Sequence, residues 1–418
     1  MSVALVSAVD PYPTDAGKKV VLAGFLNYFA DRYGAENVHY IKVGTPPETE
    51  FPVCLHVVDG PSRAALMRNI ATKVTRGRAS LQEAFLGSSQ TAAAISRILG
   101  EIRPALHVYD TIRMAQYAPA DVAANQICYL DDLFSERYDR MLRAGESHPD
   151  VDSNPLGNFA EHIPRRLRPL ATYRVTQTVL LRAERALVRR SEDRVARAFR
   201  RCVLLNDIEA GVLRRRTGLQ PGRIVSVPPL VATSVSSERC YQGSPEFVFL
   251  GLLSLPHNDD GLRWFLRSVW PLVLSRLPNA CLKVIGGQAS PELLASAAEL
   301  TGSVSFAGYV ADLGSALGMA AALINPLRFG SGIKLKVIEA LGCSLPVVST
   351  PVGAEGIASG PGSGVLVGRT PAEIADLLCT LTDPVRNAEV SAEARKHFSA
   401  TYSRQAVFDA YDAAFVSH

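Results

Sequence analysis

The sequence predicts an α/β protein of two domains, each with a parallel β-sheet that helices cover on both faces. The chain has 418 residues, more than the roughly 250–300 at which single hydrophobic cores stop growing. In both halves, short apolar runs rich in β-branched residues alternate with stretches long enough for helices, which is typical of parallel sheets. A proline pair and then a Ser/Thr-rich segment, Ala232 to Ser244, predict a linker. We therefore expect an N-terminal domain over residues 1–230 and a C-terminal domain over residues 231–399.

The N-terminal half begins with a predicted strand, VALVSAV (Val3 to Val9), which a Pro- and Asp-rich turn separates from a helical pattern over Val20 to Tyr33. Residues 143–164 hold three prolines and little apolar periodicity, which predicts a loop before an arginine-rich helix. The further strand candidates are NVHYIKVG (37–44), ALHVYD (105–110), NQICYLDD (125–132) and CVLLND (202–207).

The C-terminal half shows a second alternating set of strands and helices. Its last segment, Ala400 to Ser417, is amphipathic and predicts a helix, which we expect to pack back on the N-terminal domain. The strand candidates are EFVFLGLL (246–253), CLKVIGG (281–287), SVSFAGYV (303–310), AALINPL (321–327), LPVVST (345–350) and GVLVG (364–368).

Charge is distributed unevenly along the chain. Residues 1–230 carry a formal charge of +7 and residues 231–418 a charge of −3, which together give the net +4. Twelve arginines against three acidic residues fall within 165–201. This stretch predicts either a solvated helix face or contact with an anionic membrane or a phosphorylated acceptor. Its arginines do not alternate with aromatic residues and no recognised nucleic-acid motif accompanies them, so we do not expect a nucleic-acid partner.

Other features of the sequence limit the classes of protein to which the chain can belong. The chain is 47% hydrophobic and 20% charged, a composition of globular rather than disordered proteins. Its apolar runs fall far short of the ~20 residues that span a bilayer, and its first residues lack the pattern of a signal peptide. We expect a cytoplasmic protein. Its seven cysteines are scattered without metal-ligand spacing, which predicts reduced thiols and neither a disulfide nor a metal site.

Residues 325–357, NPLRFGSGIKLKVIEALGCSLPVVSTPVGAEGI, carry the most informative motif. Gly330-Ser331-Gly332 lies between a predicted strand and helix, where free amides and the helix dipole favour a phosphate group. Lys336 and Glu339 are three residues apart and share a helix face, whereas Lys334 lies about 200° round from Lys336. A lysine neutralises a diphosphate, and a carboxylate accepts hydrogen bonds from two ribose hydroxyls. The alternative is a surface Lys336–Glu339 pair beside an ordinary turn, and the residues alone leave both open.

The motif resembles the donor-binding segment of GT-B glycosyltransferases, in particular the retaining family 4. The resemblance extends over most of the chain. It implies two Rossmann-like domains with parallel sheets facing across a cleft, where sugar passes from a nucleotide donor to an acceptor. Further segments that carry it are DPYPTDAGKK (10–19), YLDDLFSERYDRM (129–141), the run from Phe247 to Gly287 and SVSFAGYVADLGSALGMAAALINPL (303–327).

The resemblance also implies roles for particular residues. The amides after Gly330, with Ser331 and Gly332, would hold the diphosphate together with Lys336 and Lys334, and Glu339 would hold the ribose. Gly308, Tyr309 and Val310 would meet the base. Gly353, Ala354 and Glu355 would close on the sugar or the phosphates, and Gly17 would keep the opposing loop close. No metal and no cofactor besides the UDP-, GDP- or dTDP-sugar donor is implied, and the acceptor would be a glycan, a lipid-linked intermediate or a small molecule.

The sequence departs from the family pattern at the linker, where VPPLVATS replaces the usual asparagine-glycine, and at two places near the donor. Ser331 stands where many members have the first of two glutamates. The arginine and lysine that often bind diphosphate near Gly251 are replaced by Ser254, His257 and Asn258. The two departures near the donor keep a second hypothesis open, a non-catalytic protein of the same fold that binds a nucleotide sugar or a partner.

Catalytic residues in the N-terminal half are assigned less directly. A family histidine often follows the strand ALHVYD, and His107 matches it in one register while Tyr109 takes the position in the other. Ligands of open α/β sheets bind at strand ends. That rule adds Asp110, Arg113, Asp131 and Asp132, of which Asp132 is our second catalytic candidate with His107.

Overall fold

The computed structural model of the chain describes residues 1–119, 125–147, 174–231, 239, 241–300, 302–310 and 313–416. The chain divides into two units. The first contains Met1–Leu142, Asn154–Leu230 and Val407–His418, and the second contains Arg143–Ser153 and Val231–Ala406.

A seven-stranded sheet organises the first unit, with the order β3-β2-β1-β4-β5-β6-β7 and every pair parallel. All five residues of the first strand are buried, as expected where helices cover both faces. The strands are β1 (Val3–Ser7), β2 (Val38–Val43), β3 (Cys54–Val58), β4 (Leu106–Asp110), β5 (Asn125–Asp131), β6 (Arg201–Leu204) and β7 (Ile224–Ser226).

The helices of the first unit are α1 (Gly17–Tyr33), α2 (Arg63–Asn69), α3 (Leu81–Leu86), α4 (Ser89–Ile102), α5 (Thr111–Ala115), α6 (Phe134–Ser147), α7 (Arg174–Ala198) and α8 (Asp207–Thr217). Four of them, α2, α3, α4 and α8, begin at a Ser or Asn side chain that caps them. Ser80 and Glu83 form a reciprocal capping box, and the Asn206 side chain accepts from the Glu209 amide. A π-helical turn, Ile70–Val74, follows α2.

A six-stranded parallel sheet organises the second unit, with the order β10-β9-β8-β11-β12-β13. The strands are β8 (Glu246–Leu250), β9 (Cys281–Ile285), β10 (Val304–Gly308), β11 (Ala322–Asn325), β12 (Val347–Ser349) and β13 (Val365–Val367). Its helices are α9 (Pro256–Ser268), α10 (Trp270–Leu274), α11 (Pro291–Ala298), α12 (Leu313–Gly318), α13 (Leu335–Gly342), α14 (Pro371–Thr380) and α15 (Pro384–Thr401).

The helix predicted over Ala400 to Ser417 is α16, which covers Arg404–Phe415, and residues 400 and 401 end α15. Helix α16 packs against α1 of the first unit. The Tyr28 hydroxyl donates to Asp412 at 2.7 Å, and the rings of Phe25 and Tyr411 lie 5.1 Å apart.

Several predicted boundaries change in the structure. The strand β3 was not predicted, since it is a half-exposed edge strand without a continuous apolar run. Residues 143–147 continue α6, so the loop predicted over 143–164 was wrong at its start, and its remainder lies outside the described residues. Most of the predicted linker, residues 232–238 and 240, also lies outside the described residues. Arg165, Arg166 and Arg168 of the basic stretch lie outside them too.

Candidate functional site

The carboxyl ends of β8 and β11 form the point in the second sheet where the order of strands reverses. From β8 the chain moves outward through β9 and β10, then returns to the other side of β8 as β11. Ligands of open α/β sheets bind at such a point. The loop after β8 begins at Gly251, and the loop after β11 contains Gly330-Ser331-Gly332. The structure therefore brings the predicted phosphate loop to the edge where ligands of this architecture bind.

The loop after β11 turns sharply before α13 begins. Gly330 and Gly332 have φ of 136° and 70°, values that favour glycine. Lys334 precedes the first helical residue with extended backbone, and its ammonium donates to the Ser331 carbonyl at 3.1 Å and to the Gly332 carbonyl. No acidic residue lies in the first turn of α13 and no side chain caps it. The first amides of this eight-residue helix thus point their positive ends toward the loop.

Lys336 lies in the first turn of α13 with a partly desolvated ammonium. Its Nζ donates to Oδ1 of Asn258 at 2.9 Å and lies 4.5 Å from the centroid of the Phe249 ring. Burial, with a smaller contribution from the charge of Lys334, lowers the pKa of Lys336 to about 7, against the opposing effect of Glu339. The ammonium is therefore partly deprotonated near neutral pH, and a nearby anion would stabilise its charged form.

Glu339 lies one turn further along α13 and is half-buried. Burial raises the pKa of its carboxyl, and the charge of Lys336 partly offsets this. None of the described residues forms a hydrogen bond or an ion pair with this side-chain carboxylate. The intrahelical Lys336–Glu339 pair of the alternative hypothesis is not formed, because Lys336 is bonded to Asn258 on another helix.

Two contacts hold the segment before the glycine loop. Arg328 forms a two-point ion pair with the buried Asp260 of α9, with 2.9 Å between Nε and Oδ2. A Cβ on Gly261 would meet the Pro326 carbonyl oxygen at 2.7 Å, so α9 approaches this backbone closely. Helix α9 thus packs against the segment that leads into the loop, and it also positions Asn258.

The Gly353 to Glu355 segment follows β12 at the same edge. A Cβ on Gly353 would collide with Ser349 and Asn325, and the Asn325 amide donates to the Gly353 carbonyl at 2.9 Å. The Ala354 side chain is buried in the core. The backbone of this segment is therefore fixed by packing, and its proposed contact with donor remains a prediction.

Gly308 ends the outer strand β10, two strands from β8, and Tyr309 and Val310 follow it. Gly308 has φ of 64°. The Tyr309 side chain is 89% exposed, whereas Val310 packs partly against the core. The tyrosine ring is therefore available to a ligand at this edge, and its contact with a base remains a prediction.

The first unit has a second polar cluster at the corresponding point of its own sheet, the carboxyl ends of β1 and β4. Lys18 of α1 lies 2.7 Å from Asp110 and 3.7 Å from Asp131, and the Ser7 hydroxyl donates to Asp110 at 2.7 Å. Burial raises the pKa of Asp131, and Lys18 opposes this. Asp131 and Thr111 both have left-handed φ, 68° and 63°, which is uncommon and often found at functional sites. Gly17 precedes Lys18 and is exposed.

Neither predicted catalytic residue is among the side chains that contact Lys18. His107 is the second residue of β4, buried, with its Nε2 3.1 Å from the Pro104 carbonyl oxygen, and burial lowers its pKa. It therefore lies toward the amino end of the strand, and the residue at the carboxyl end is Asp110. Asp132 is buried and paired with Arg137 at 2.7 Å. Their catalytic roles remain predictions that this geometry does not favour.

Two residues of these clusters escaped the sequence analysis. Lys18 directly follows the glycine that the family resemblance indicated, but its partners lie about a hundred residues away in the chain. Asn258 was noted only as a departure from the family pattern, and its bond to Lys336 depends on the packing of α9 beside α13.

Within the described ranges, no group of three or more His, Cys, Asp or Glu side chains is placed to hold a metal ion. No helix in the same ranges combines the length and hydrophobicity that a membrane span requires.

Part of the second unit's sequence is similar to known proteins. Residues 244–383, which contain both loops of the β8/β11 edge, match the family model described as Glycosyl transferases group 1. A Klebsiella pneumoniae protein, described as an uncharacterized 44.6 kDa protein in the cps region, is 30% identical over 126 residues. The match covers 29% of this chain and 32% of that protein, about a third of its length.

Solved structures match over nearly the full chain. Sucrose-phosphate synthase from Thermosynechococcus elongatus has a TM-score of 0.64 at 14% identity, covering 97% of this chain and 96% of its own. A TarM mutant from S. aureus, in complex with fondaparinux, alpha-GlcNAc-glycerol and UDP, has a TM-score of 0.63 at 10% identity and covers 100% of both chains. The predicted fold class is confirmed: the chain has the GT-B fold, with two α/β units on parallel sheets.

Proposed function

We propose that the chain is a glycosyltransferase that moves a sugar from a nucleoside diphosphate donor to an acceptor hydroxyl in glycan or polysaccharide biosynthesis. One observation carries the proposal: the Gly330 to Gly332 loop, Lys336 and Glu339 lie together at the strand-reversal point of the second sheet. The family match covers this region, and TarM of the same fold was solved with UDP bound. The group 1 glycosyltransferase domain supports the general activity, and the donor assignment is ours.

The proposed chemistry follows from the charges at this edge. The first amides of α13 and the Lys336 ammonium bind the diphosphate, and Glu339 accepts hydrogen bonds from the ribose hydroxyls. As the bond between the sugar's anomeric carbon and the diphosphate breaks, negative charge builds on the leaving oxygen, which these same groups stabilise. The acceptor oxygen forms the new bond to that carbon and its proton passes to the departing diphosphate or to solvent. The helix dipole and Lys336 supply the positive charge, so we propose transfer without a metal, and retention of configuration as in family 4.

We propose that the first unit binds the acceptor. Its cluster of Lys18, Asp110 and Asp131 offers carboxylate oxygens and an ammonium to sugar hydroxyls at the point where ligands of this sheet architecture bind. The TarM structure with fondaparinux and alpha-GlcNAc-glycerol shows saccharides bound by a protein of this fold. A glycan, a lipid-linked intermediate or a small molecule would suit, and we propose a cytoplasmic protein whose basic residues 165–201 contact an anionic membrane face peripherally.

The test is a thermal-shift and turnover screen against UDP-, GDP- and dTDP-sugars. One donor class should raise the melting temperature and be slowly hydrolysed. Glu339→Ala should lose most of both effects while remaining folded. Glu292→Ala, which removes an exposed carboxylate of α11 in the same unit, is the matched control and should behave as wild type.

The outcomes separate the two hypotheses. Failure of every donor to bind, or normal turnover by folded Glu339→Ala, would refute the assignment of this site. Binding that depends on Glu339, with no hydrolysis and no transfer to any acceptor tried, would favour the non-catalytic alternative, which Ser331 and the missing cations near Gly251 motivate.

A further inference from the structure

A basic pocket lies in the first unit. It is formed by the π-helical turn after α2, the beginning of α3 and the residue that follows α5. Its volume is about 500 Å³, and its lining includes Lys73, Arg76 and Arg78 with Asn69, Glu83 and Gln116. None of these residues belongs to the Lys18–Asp110–Asp131 cluster or to the donor site of the second unit. The pocket therefore lies outside both the donor site and the acceptor site proposed above.

The cations of this pocket lack acidic partners. Residues 61–82 contain five basic residues and no acidic one. Among the described residues, no carboxylate lies within ion-pair distance of Lys73, Arg76 or Arg78, and all three side chains are exposed. A concave surface that gathers three unpaired cations has a positive potential that an anion would neutralise.

The one carboxylate in the lining, Glu83, is already neutralised. It pairs with Arg194 of α7 and accepts hydrogen bonds from the hydroxyls of Ser80, at 2.9 Å, and Ser191, at 2.5 Å. Helix α7 adds a further positive charge, because its Arg190 lies beside Gly77. The Nη1 atom of Arg190 is 3.3 Å from the position that a Cβ on Gly77 would occupy. The basic segment 61–82 and the basic helix α7, distant in sequence, thus meet at one pocket.

The floor of the pocket is fixed by amide side chains. The Asn69 amide donates to the carbonyls of Ala84 and Gly87, at 3.3 and 2.7 Å. The Gln116 amide donates to those of Glu83 and Arg113, at 3.0 and 2.7 Å. These bonds hold the α3 segment in place beneath the cations, so a ligand would meet a preformed frame and only the basic side chains would need to move.

We propose that this pocket binds a phosphate or diphosphate ester, through Lys73, Arg76 and Arg78 with Arg190 at its margin. Arginine matches phosphate oxygens with paired N–H donors, and lysine adds a compact charge. The same chemistry is offered by an anionic lipid headgroup and by a soluble sugar phosphate, and the experiment distinguishes the two.

The direct test is acetylation of lysines in the full chain, read by mass spectrometry. Inorganic pyrophosphate represents the soluble source, and vesicles with phosphatidylglycerol, compared with phosphatidylcholine alone, represent the lipid source. We expect at least one source to slow acetylation of Lys73 about tenfold or more, as charge-assisted hydrogen bonds predict, while exposed Lys396 reacts unchanged. Protection of Lys336 by pyrophosphate reports the donor site separately, so the two proposals can fail independently.

A charge-matched pair of variants completes the test. Lys73→Gln, Arg76→Gln and Arg78→Gln together remove three charges from the pocket. Arg97→Gln, Arg215→Gln and Lys396→Gln remove three exposed charges outside its lining. At low ionic strength, where such contacts are strongest, the pocket variant should lose most of the vesicle binding, or the pyrophosphate binding that exceeds that of the Lys336 site, and the control variant should keep it. Equal acetylation of Lys73 with and without both sources, or equal binding by the two variants, would overturn the proposal.

Discussion

The Lys336 ammonium donates a hydrogen bond to Oδ1 of Asn258 at 2.9 Å, and this bond joins the two sides of the strand-reversal point in the second sheet. Asn258 belongs to α9 after β8, and Lys336 belongs to α13 after β11. The Asn258 amide also donates to the Leu252 carbonyl at 2.9 Å. One buried asparagine therefore positions both the β8 loop and the lysine that we assign to the diphosphate.

The lowered pKa of Lys336 predicts how donor affinity depends on pH. Burial lowers this pKa to about 7, so the free protein loses the ammonium charge as pH rises through that value. A nearby diphosphate favours the charged form, and a nucleotide sugar has no ionisation of its own near neutral pH. Donor affinity should therefore fall by about tenfold between about pH 6 and pH 8.5, measured by calorimetry.

Lys336→Arg is the control for this pH dependence, because a guanidinium stays charged over the whole range. Its donor affinity should be nearly flat across the same pH values, even if weaker overall. A wild-type profile without slope, or the same slope in both proteins, would show that Lys336 does not carry the effect.

Gly353 is expected to tolerate no side chain. An added Cβ would collide with the Ser349 hydroxyl, the Asn325 amide and the Asn325 carbonyl, all buried at the end of β11 and β12. Gly353→Ala should lower the free energy of unfolding by about 1–3 kcal/mol, measured by denaturant titration. Gly287→Ala is the control, since nothing lies within 4 Å of its added Cβ. Equal stability of the two variants would contradict the packing role.

The ion pair between Arg328 and Asp260 predicts a larger effect, because both side chains are largely buried. Arg328→Met would leave the Asp260 carboxylate without its partner, at a cost of about 3–5 kcal/mol in unfolding free energy. Arg386→Met, which breaks an exposed pair with Glu389, should cost about 0–1 kcal/mol. A small loss at Arg328 would mean that the pair does not hold the segment before the glycine loop.

The sequence predicted the strands of the second unit because most are continuous buried apolar runs. The four residues of β11 and the three of β12 are all buried, and their glycine-rich loops mark where they end. The half-exposed strand β3, which contains His56, has no such run and was missed. Burial on both faces, more than strand propensity, made a strand recognisable.

The side-chain contacts of the site could be predicted only in part. Lys336 and Glu339 were found through helix periodicity, which local sequence determines. The angle assigned to Lys334 was wrong, because α13 begins only at Leu335 and the Lys334 ammonium turns back to the loop carbonyls. The Asn258 bond spans 78 residues, and such a contact depends on how α9 packs.

Lys18 is expected to stabilise the first unit in a pH-dependent way, because its ammonium lies between the carboxylates of Asp110 and Asp131. Lys18→Met should lower the unfolding free energy by about 3 kcal/mol near pH 7.5. Burial already raises the pKa of Asp131, and losing Lys18 raises it further. A carboxyl whose pKa is higher in the folded than in the unfolded state destabilises the fold as pH rises between those two values. The deficit should therefore be smaller at pH 5 than at pH 7.5, because the raised pKa of Asp131 leaves its carboxyl more protonated at the lower pH. Lys19→Met, whose partner Asp15 is exposed, should cost about 0–1 kcal/mol at either pH, and a deficit of Lys18→Met that does not change with pH would exclude this electrostatic role.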